Sequence, residues 1–277
     1  IFSQYFLGGT GFSIKIEKIS GTPLSRIEME DVRMLYNGPD YSFDVVRIER
    51  FGCRYDFRSL FSGRPVILDL ELDTPHVWIK PDSSGSNIIP FAGRPGSGAS
   101  GSFEIANFKV MNGQVIYQSA GRADAAREID LTGAVLSDSG GLRLSLTSGR
   151  GEIIGRKILL RRIHGDILRS GAAAGGAGGR EWSGNALKLV DLFIELEKSS
   201  MTINGMIDPD SIYMDLNVDA DPLEVEETAR ALGMEISHYG ELQGVLDVRG
   251  VPEALRINGS VNGTFSGYAL DDFNLEM

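Results

Sequence analysis

The side chains that ordinarily carry chemistry are scarce and scattered in this chain. Its three histidines, His76, His164 and His238, each stand alone, and its one cysteine, Cys53, follows Phe51-Gly52. Isolated imidazoles leave little material for a zinc site or for histidine-based acid–base work. One cysteine excludes an internal disulfide framework and any CxxC site, so Cys53 reads as a small apolar packing residue. No serine sits in GxSxG, no HExxH occurs, and no glycine loop with Gly-Lys-Ser/Thr or GxGxxG leads from a strand into a helix. Asn217, Asp219, Asp221 and Glu224 offer oxygens of the kind calcium takes. Their spacing does not fit an EF-hand, and a strand end followed by a helix cap explains the same residues. The expectation is a protein that is not an enzyme and that uses no metal and no cofactor.

Charge narrows the partners. The 277 residues include 38 acids and 27 basic residues, a net charge of −11. That balance argues against nucleic acid, because phosphate contacts need clustered Lys and Arg. Arg156, Lys157, Arg161 and Arg162 bracket the apolar run Ile158-Leu159-Leu160. They fit an exposed strand edge guarded by positive charge, or a contact with anionic lipid headgroups. Glycine, 35 residues or about 13%, is nearly twice its usual ~7%. No stretch reaches the ~18–20 apolar residues of a spanning helix. The chain opens on Ile1 rather than Met, which suggests that an upstream portion is missing. Ile1, Phe2, Tyr5, Phe6 and Leu7 suit either the aromatic exit of a membrane anchor or an edge strand.

The elements that would position any site are announced by period two. In Leu68-Asp69-Leu70-Glu71-Leu72-Asp73, leucines alternate with acids, so one strand face is apolar and the other charged. Leu142, Leu144 and Leu146 repeat the pattern, as do Ile212, Met214, Leu216 and Val218. Shorter examples are Ile14/Ile16, Phe103/Ile105, Leu246/Val248 and Ile257/Gly259/Val261. About 15 to 17 such segments follow one another between Gly, Asn-Gly, Ser-Gly or Pro turns. Asn112-Gly113, Asn204-Gly205, Asn258-Gly259 and Asn262-Gly263 suggest hairpin turns, which require φ > 0. One helix is expected from Pro222 to about Leu232, capped by Asp221 and stopped at Gly233, with a shorter turn around Phe57–Phe61.

Two low-complexity stretches, 93–102 and 171–179, have the composition of flexible loops. They divide the chain into 1–92, 103–170 and 180–277. Similar strands on either side argue for one continued sheet with two long loops.

Segment 14–92 resembles the N-terminal region of the AsmA/TamB superfamily. The resemblance begins at Ile19-Ser-Gly21 and continues through Ile27–Arg33, Val46–Arg50 and Tyr55–Gly63. It runs on through Ile67–Leu72, Thr74–Ile79 and the polar tail 82–87, then Phe103–Ile105 and Asn112–Tyr117. Gly240–Pro252 is similar to that family's glycine-spaced repeat strands. The specificity lies in the order of these degenerate patterns. The resemblance implies a periplasmic protein anchored in the inner membrane upstream, with a long β-groove. It also implies movement of phospholipid between the two membranes, or assistance to outer-membrane protein assembly with an outer-membrane partner protein.

The fold expected is therefore all-β: a long antiparallel meander curled into an elongated groove, a half-pipe or β-taco, with one or two short helices. Stacked at ~4.8 Å per strand, 15 strands would make a trough of about 70 Å. Acyl chains would lie on an aliphatic stripe drawn from Leu68, Leu70, Leu72, Val77, Ile79, Ile105, Val115, Leu142, Leu144 and Leu146. The stripe would continue through Ile212, Met214, Leu216, Val218, Leu246, Val248, Ile257 and Val261. The same alternation also fits the dry core of a β-sandwich scaffold or adhesion module. A groove with a protein client, taken up by strand augmentation at an exposed edge, is a third reading.

Overall fold

A computed structural model describes residues 3–7, 12–22, 24–37, 42–79, 81–82, 85–86, 102–119, 122–139, 141–170, 182–183, 185–232, 239–251, 254–266 and 268–276. The chain is all-β, an open and almost entirely antiparallel meander, with one α-helix and short 3-10 turns among the described residues. It divides into two compact units: Ile1–Leu136 with Gly151–Gly155, and Ser137–Arg150 with Arg156–Met277. The glycine-rich stretches 93–101 and 171–179 lie outside the described residues.

The first unit contains β1 (Ser3–Leu7), β2 (Phe12–Thr22), β3 (Arg26–Asn37), β4 (Ser42–Tyr55) and β5 (Val66–Ile79). It continues with the small pair β6 (Pro81–Asp82) and β7 (Gly85–Ser86), then β8 (Phe103–Ser119) and most of β9 (Arg122–Asp138). Its sheet order is β1-β2-β3-β4-β5-β8-β9. The β5–β8 pair is parallel, Val66 beside Glu104 and Ile79 beside Tyr117, an exception to the expected meander. Residues 80–102 give the chain the length to return before pairing, which a two-residue hairpin does not.

The second unit contains most of β10 (Gly141–Ile153), then β11 (Ile158–Leu160), β12 (Arg162–Ser170), β13 (Leu187–Glu195), β14 (Ser200–Asp208) and β15 (Tyr213–Glu224). After the helix α1 (Val225–Leu232) come β16 (Gly240–Val251), β17 (Ala254–Phe265) and β18 (Tyr268–Glu276). Its order is β10-β12-β13-β14-β15-β16-β17-β18, each neighbour antiparallel.

Several local expectations shift. The helix begins at Val225 rather than Pro222, because β15 runs on through Asp221 and Pro222 to Glu224, which pairs with Glu241. The capping box moves with it: the Glu224 carboxylate accepts the Glu227 N–H at 2.6 Å. The expected stop, Gly233, lies outside the described residues. The turn at Phe57–Phe61 forms as a 3-10 turn whose Asp56 carboxylate accepts the Arg58 N–H.

The four Asn-Gly pairs are not hairpin turns; all lie inside strands β8, β14 and β17. The conformational freedom they supply serves irregular strand positions instead. Asn112 has φ 54° and Gly205 φ 136°, and a Cβ on Gly205 would collide with the Asp215 carbonyl oxygen. Ile212, expected in a strand, sits in the turn before β15 with φ 52° and is 58% exposed. Ser3–Leu7 is a strand paired with β2.

Candidate functional site

Residues opposite one another on antiparallel neighbours share a face, so the registers determine what each face presents. In the second unit one row reads Leu144, Ile167, Leu189, Gly205, Leu216, Val248 and Ile257 across seven strands. The next reads Leu192, Ile203, Val218, Leu246 and Gly259. A third is Ile163, Ile194, Met201, Ala220, Gly244 and Val261. A fourth is Leu142, Arg169, Leu187, Ile207, Met214, Gly250 and Leu255. Every member but Arg169 is apolar or glycine. The alternate rows are mainly polar, as in Asn204, Asn217, Asp247 and Asn258, where the Asn217 side-chain amide donates to Asp247 at 3.1 Å, with Phe193, Met206 and Val245 as apolar exceptions.

Burial grades along the strands of this unit. Towards α1, which lies against β15, β16 and β11, Val218, Leu246 and Val261 are buried, Val261 to 1% exposure. These three sequence-predicted lining residues are core positions. Leu144, Leu146, Met214, Leu216, Val248 and Ile257 are half-buried on the same face, and Leu142 is at its exposed margin.

The first unit is built alike. Its rows are Ile14, Met34, Val46, Val77 and Val115; Ile16, Val32, Ile48 and Pro75; Ile19, Met29, Phe51, Leu72 and Val110. Two more follow: Gly21, Ile27, Cys53, Leu70 and Phe108; then Tyr55, Ile67 and Ile105. Leu70, Leu72, Val77, Ile79, Ile105 and Val115 all fall on this face and are only half-buried. Leu68 does not belong to it: the register slips between Arg54 and Tyr55, leaving Leu68 without a partner on β4 while Ile67 takes the row. Cys53 is the predicted apolar member, and burial pushes its thiol pKa up.

The members that alternation misses have their own signal. Apolar spacing along these strands is two, then three, then two: Ile14, Ile16, Ile19; Met29, Val32, Met34; Leu70, Leu72, Pro75, Val77. The three-residue steps hold two polar residues, and in β3 and β5 one of them, Asp31 or Thr74, takes φ near 50°. One extra residue per strand at a shared level returns the following apolar side chains to the same face.

The opposite face of the first unit is a ladder of ion pairs. Lys18 meets Glu30 at 2.6 Å, Arg26 meets Glu71 at 3.4 Å, and Arg50 and Arg54 meet Asp73 and Asp69. Asp31 accepts from both Arg33 and Arg47, at 2.6 and 2.9 Å; the Arg33 hydrogen bond foremost holds its carboxyl below the usual range. An open depression of about 580 Å³ here is lined by Glu17, Glu30, Asp31, Arg33, Arg47, Glu49 and Arg50. Its arginines are matched by acids, so it is a neutralised wet face.

Among the described residues no group of three or more His, Cys, Asp or Glu could hold a metal ion. Of the oxygens considered for calcium, Asp221 accepts from Gln243 at 2.7 Å and Glu224 caps α1. Arg156 donates to the Ala231 carbonyl and Arg162 pairs with Glu195 at 3.5 Å. No helix among the described residues is long and apolar enough to cross a membrane. Comparison of the chain with family models, with curated proteins and with solved structures finds no match in any of the three.

Proposed function

We propose that this chain carries phospholipid on its apolar sheet faces, as the periplasmic part of a protein anchored in the inner membrane that moves lipid between the inner and outer membranes. The supporting observation is the combination of register and exposure. Rows up to seven strands wide are aliphatic or glycine, and away from α1 many of their side chains, Leu144, Leu216 and Val248 among them, are half-buried, although Leu189 and Leu255 are closed off. In the dry core of a sandwich, leucines such as Leu70, Leu72 and Leu216 would be closed off from solvent. An acyl chain laid across such a row removes apolar area on both partners, about 0.8 kcal/mol per CH₂. Adjacent rows offer near-equivalent contacts, so a bound chain can slide between them. No bond is made or broken, and the proposal has no catalytic residue, metal or cofactor.

Photocrosslinking tests it. A benzophenone amino acid at Leu72 or Leu216 should yield adducts of lipid mass, whereas the same group at Glu71 or Asp247 on the wet face should not. Adducts to a polypeptide at the apolar positions would replace lipid by a protein client. Adducts at neither would return the face to a closed scaffold.

A further inference from the structure

Two connections at one end of the first unit are built inside out. The turn between β2 and β3 leaves Leu24 62% exposed, and the 3-10 turn Phe57–Phe61 leaves Leu60 and Phe61 exposed, Phe61 to 77%. Phe57, also partly exposed, meets Phe61 edge-on with ring centroids 5.2 Å apart. A hydrogen bond from the Tyr55 N–H to the Ser25 carbonyl, 3.1 Å, ties the two connections together. The polar residue of the turn is the one that is hidden. Ser59 is buried; its hydroxyl donates to the Asp56 carbonyl at 2.6 Å and accepts the Val66 N–H at 2.8 Å. A turn held rigid by an inward serine, with two phenylalanines and a leucine facing water, reverses the usual order of burial.

Charge says what these side chains meet. In a chain of net −11, residues 54–64 contain Arg54, Arg58 and Arg64 against the single acid Asp56. Arg54 pairs with Asp69 and Arg64 with Glu104, but Arg58 makes no ion pair among the described residues. Phenylalanine and leucine at the headgroup–acyl boundary, with an arginine on the phosphates, is the arrangement that binds an anionic bilayer surface.

We propose that this end of the first unit is a membrane-docking tip, with Leu24, Phe57, Leu60 and Phe61 entering an anionic bilayer and Arg58 meeting its phosphates. The row Tyr55, Ile67 and Ile105 starts directly behind the turn, so docking would present the end of the apolar face to the acyl chains. Docking stands on the tip alone and lipid carriage on the rows, so each can fail without the other.

Vesicle flotation is the test. The chain should float with vesicles of phosphatidylcholine containing about one-third phosphatidylglycerol, and less so in high salt. Leu60→Ser with Phe61→Ser should weaken binding about tenfold or more, and Arg58→Glu should weaken it and flatten the salt dependence. Circular dichroism should be unchanged in both variants. Absence of wild-type binding, or equal binding by the Leu60→Ser/Phe61→Ser variant, would overturn the proposal. If that variant loses its fold, Phe61→Trp decides instead. Its added fluorescence should be quenched by brominated phospholipid in the vesicles, and lack of quenching would overturn the tip.

Discussion

Gly205 stands opposite Leu216 in the widest aliphatic row, at φ 136°, with the Asp215 carbonyl oxygen where a Cβ would go. Gly205→Ala therefore costs about 1–3 kcal/mol, read as a lower urea midpoint at unchanged slope; an unchanged midpoint would contradict this register. Asp208, buried at the end of β14, is a different kind of constraint. Burial alone would raise its pKa, but hydrogen bonds from Ser183 and Ser211 and the Asp210 N–H prevail and hold it below 3.8. A carboxylate depressed on folding contributes stability that is fully present above the unfolded value and is lost as pH falls through the folded one. Asp208→Asn should thus lower the melting temperature at pH 7 and shrink the loss of stability as pH falls through and below the usual carboxylate range. An identical acid profile in the variant would count against it. Cys53 reports on the apolar face itself. With its thiol pKa raised by burial, maleimide should react more slowly at pH 7 than with a free cysteine, and added phospholipid should slow it further.

At the scale of elements, α1 is fastened by Glu227 as well as by its apolar side. The buried Glu227 carboxylate accepts the N–H groups of Glu197 and Lys198, each at 3.1 Å, in the turn between β13 and β14. Glu227→Ala leaves those two donors unpaired and should cost about 1–3 kcal/mol, measured by thermal melting. The existence of this helix was legible, because Pro222 and the acids that follow it mark a helix start. Its boundary was not, because a helix cap and a strand continuing to Glu224 use the same residues and only pairing with Glu241 distinguishes them. The strands were legible wherever strict alternation holds, as in β15 and β16. They were obscured in β2–β5, where three-residue steps interrupt the period and strand pairing alone restores a common face. The same non-local information decides that Ile67 rather than Leu68 lies on that face, and that Asn-Gly pairs sit inside strands rather than at turns. Burial is further still from the sequence: Val218 and Val248 occupy equivalent alternating positions, yet only Val218 is closed off near α1.

At the scale of the whole molecule, each unit by itself presents one largely apolar face and one mainly polar face. The first unit neutralises its polar face with cross-strand ion pairs, and the second lines it with Asn and Asp and the cross-strand pair Arg249–Asp215. Such exposed pairs contribute little stability, at most about 1 kcal/mol each, so the sheets rest on backbone pairing and on partial apolar burial. That leaves apolar area to be covered by a partner, and the lipid proposal names it. Leu70→Asp in the first unit and Leu144→Asp in the second place a charge within an apolar row without removing a strand. Both variants should keep the β-sheet circular dichroism spectrum. The most direct measurement is to purify the chain, extract it with organic solvent and quantify phospholipid by mass spectrometry. The account predicts phospholipid at one or more molecules per chain, falling several-fold in Leu70→Asp and Leu144→Asp. A cooperatively folded chain that carries no lipid, or variants that carry as much as the wild type, would contradict it.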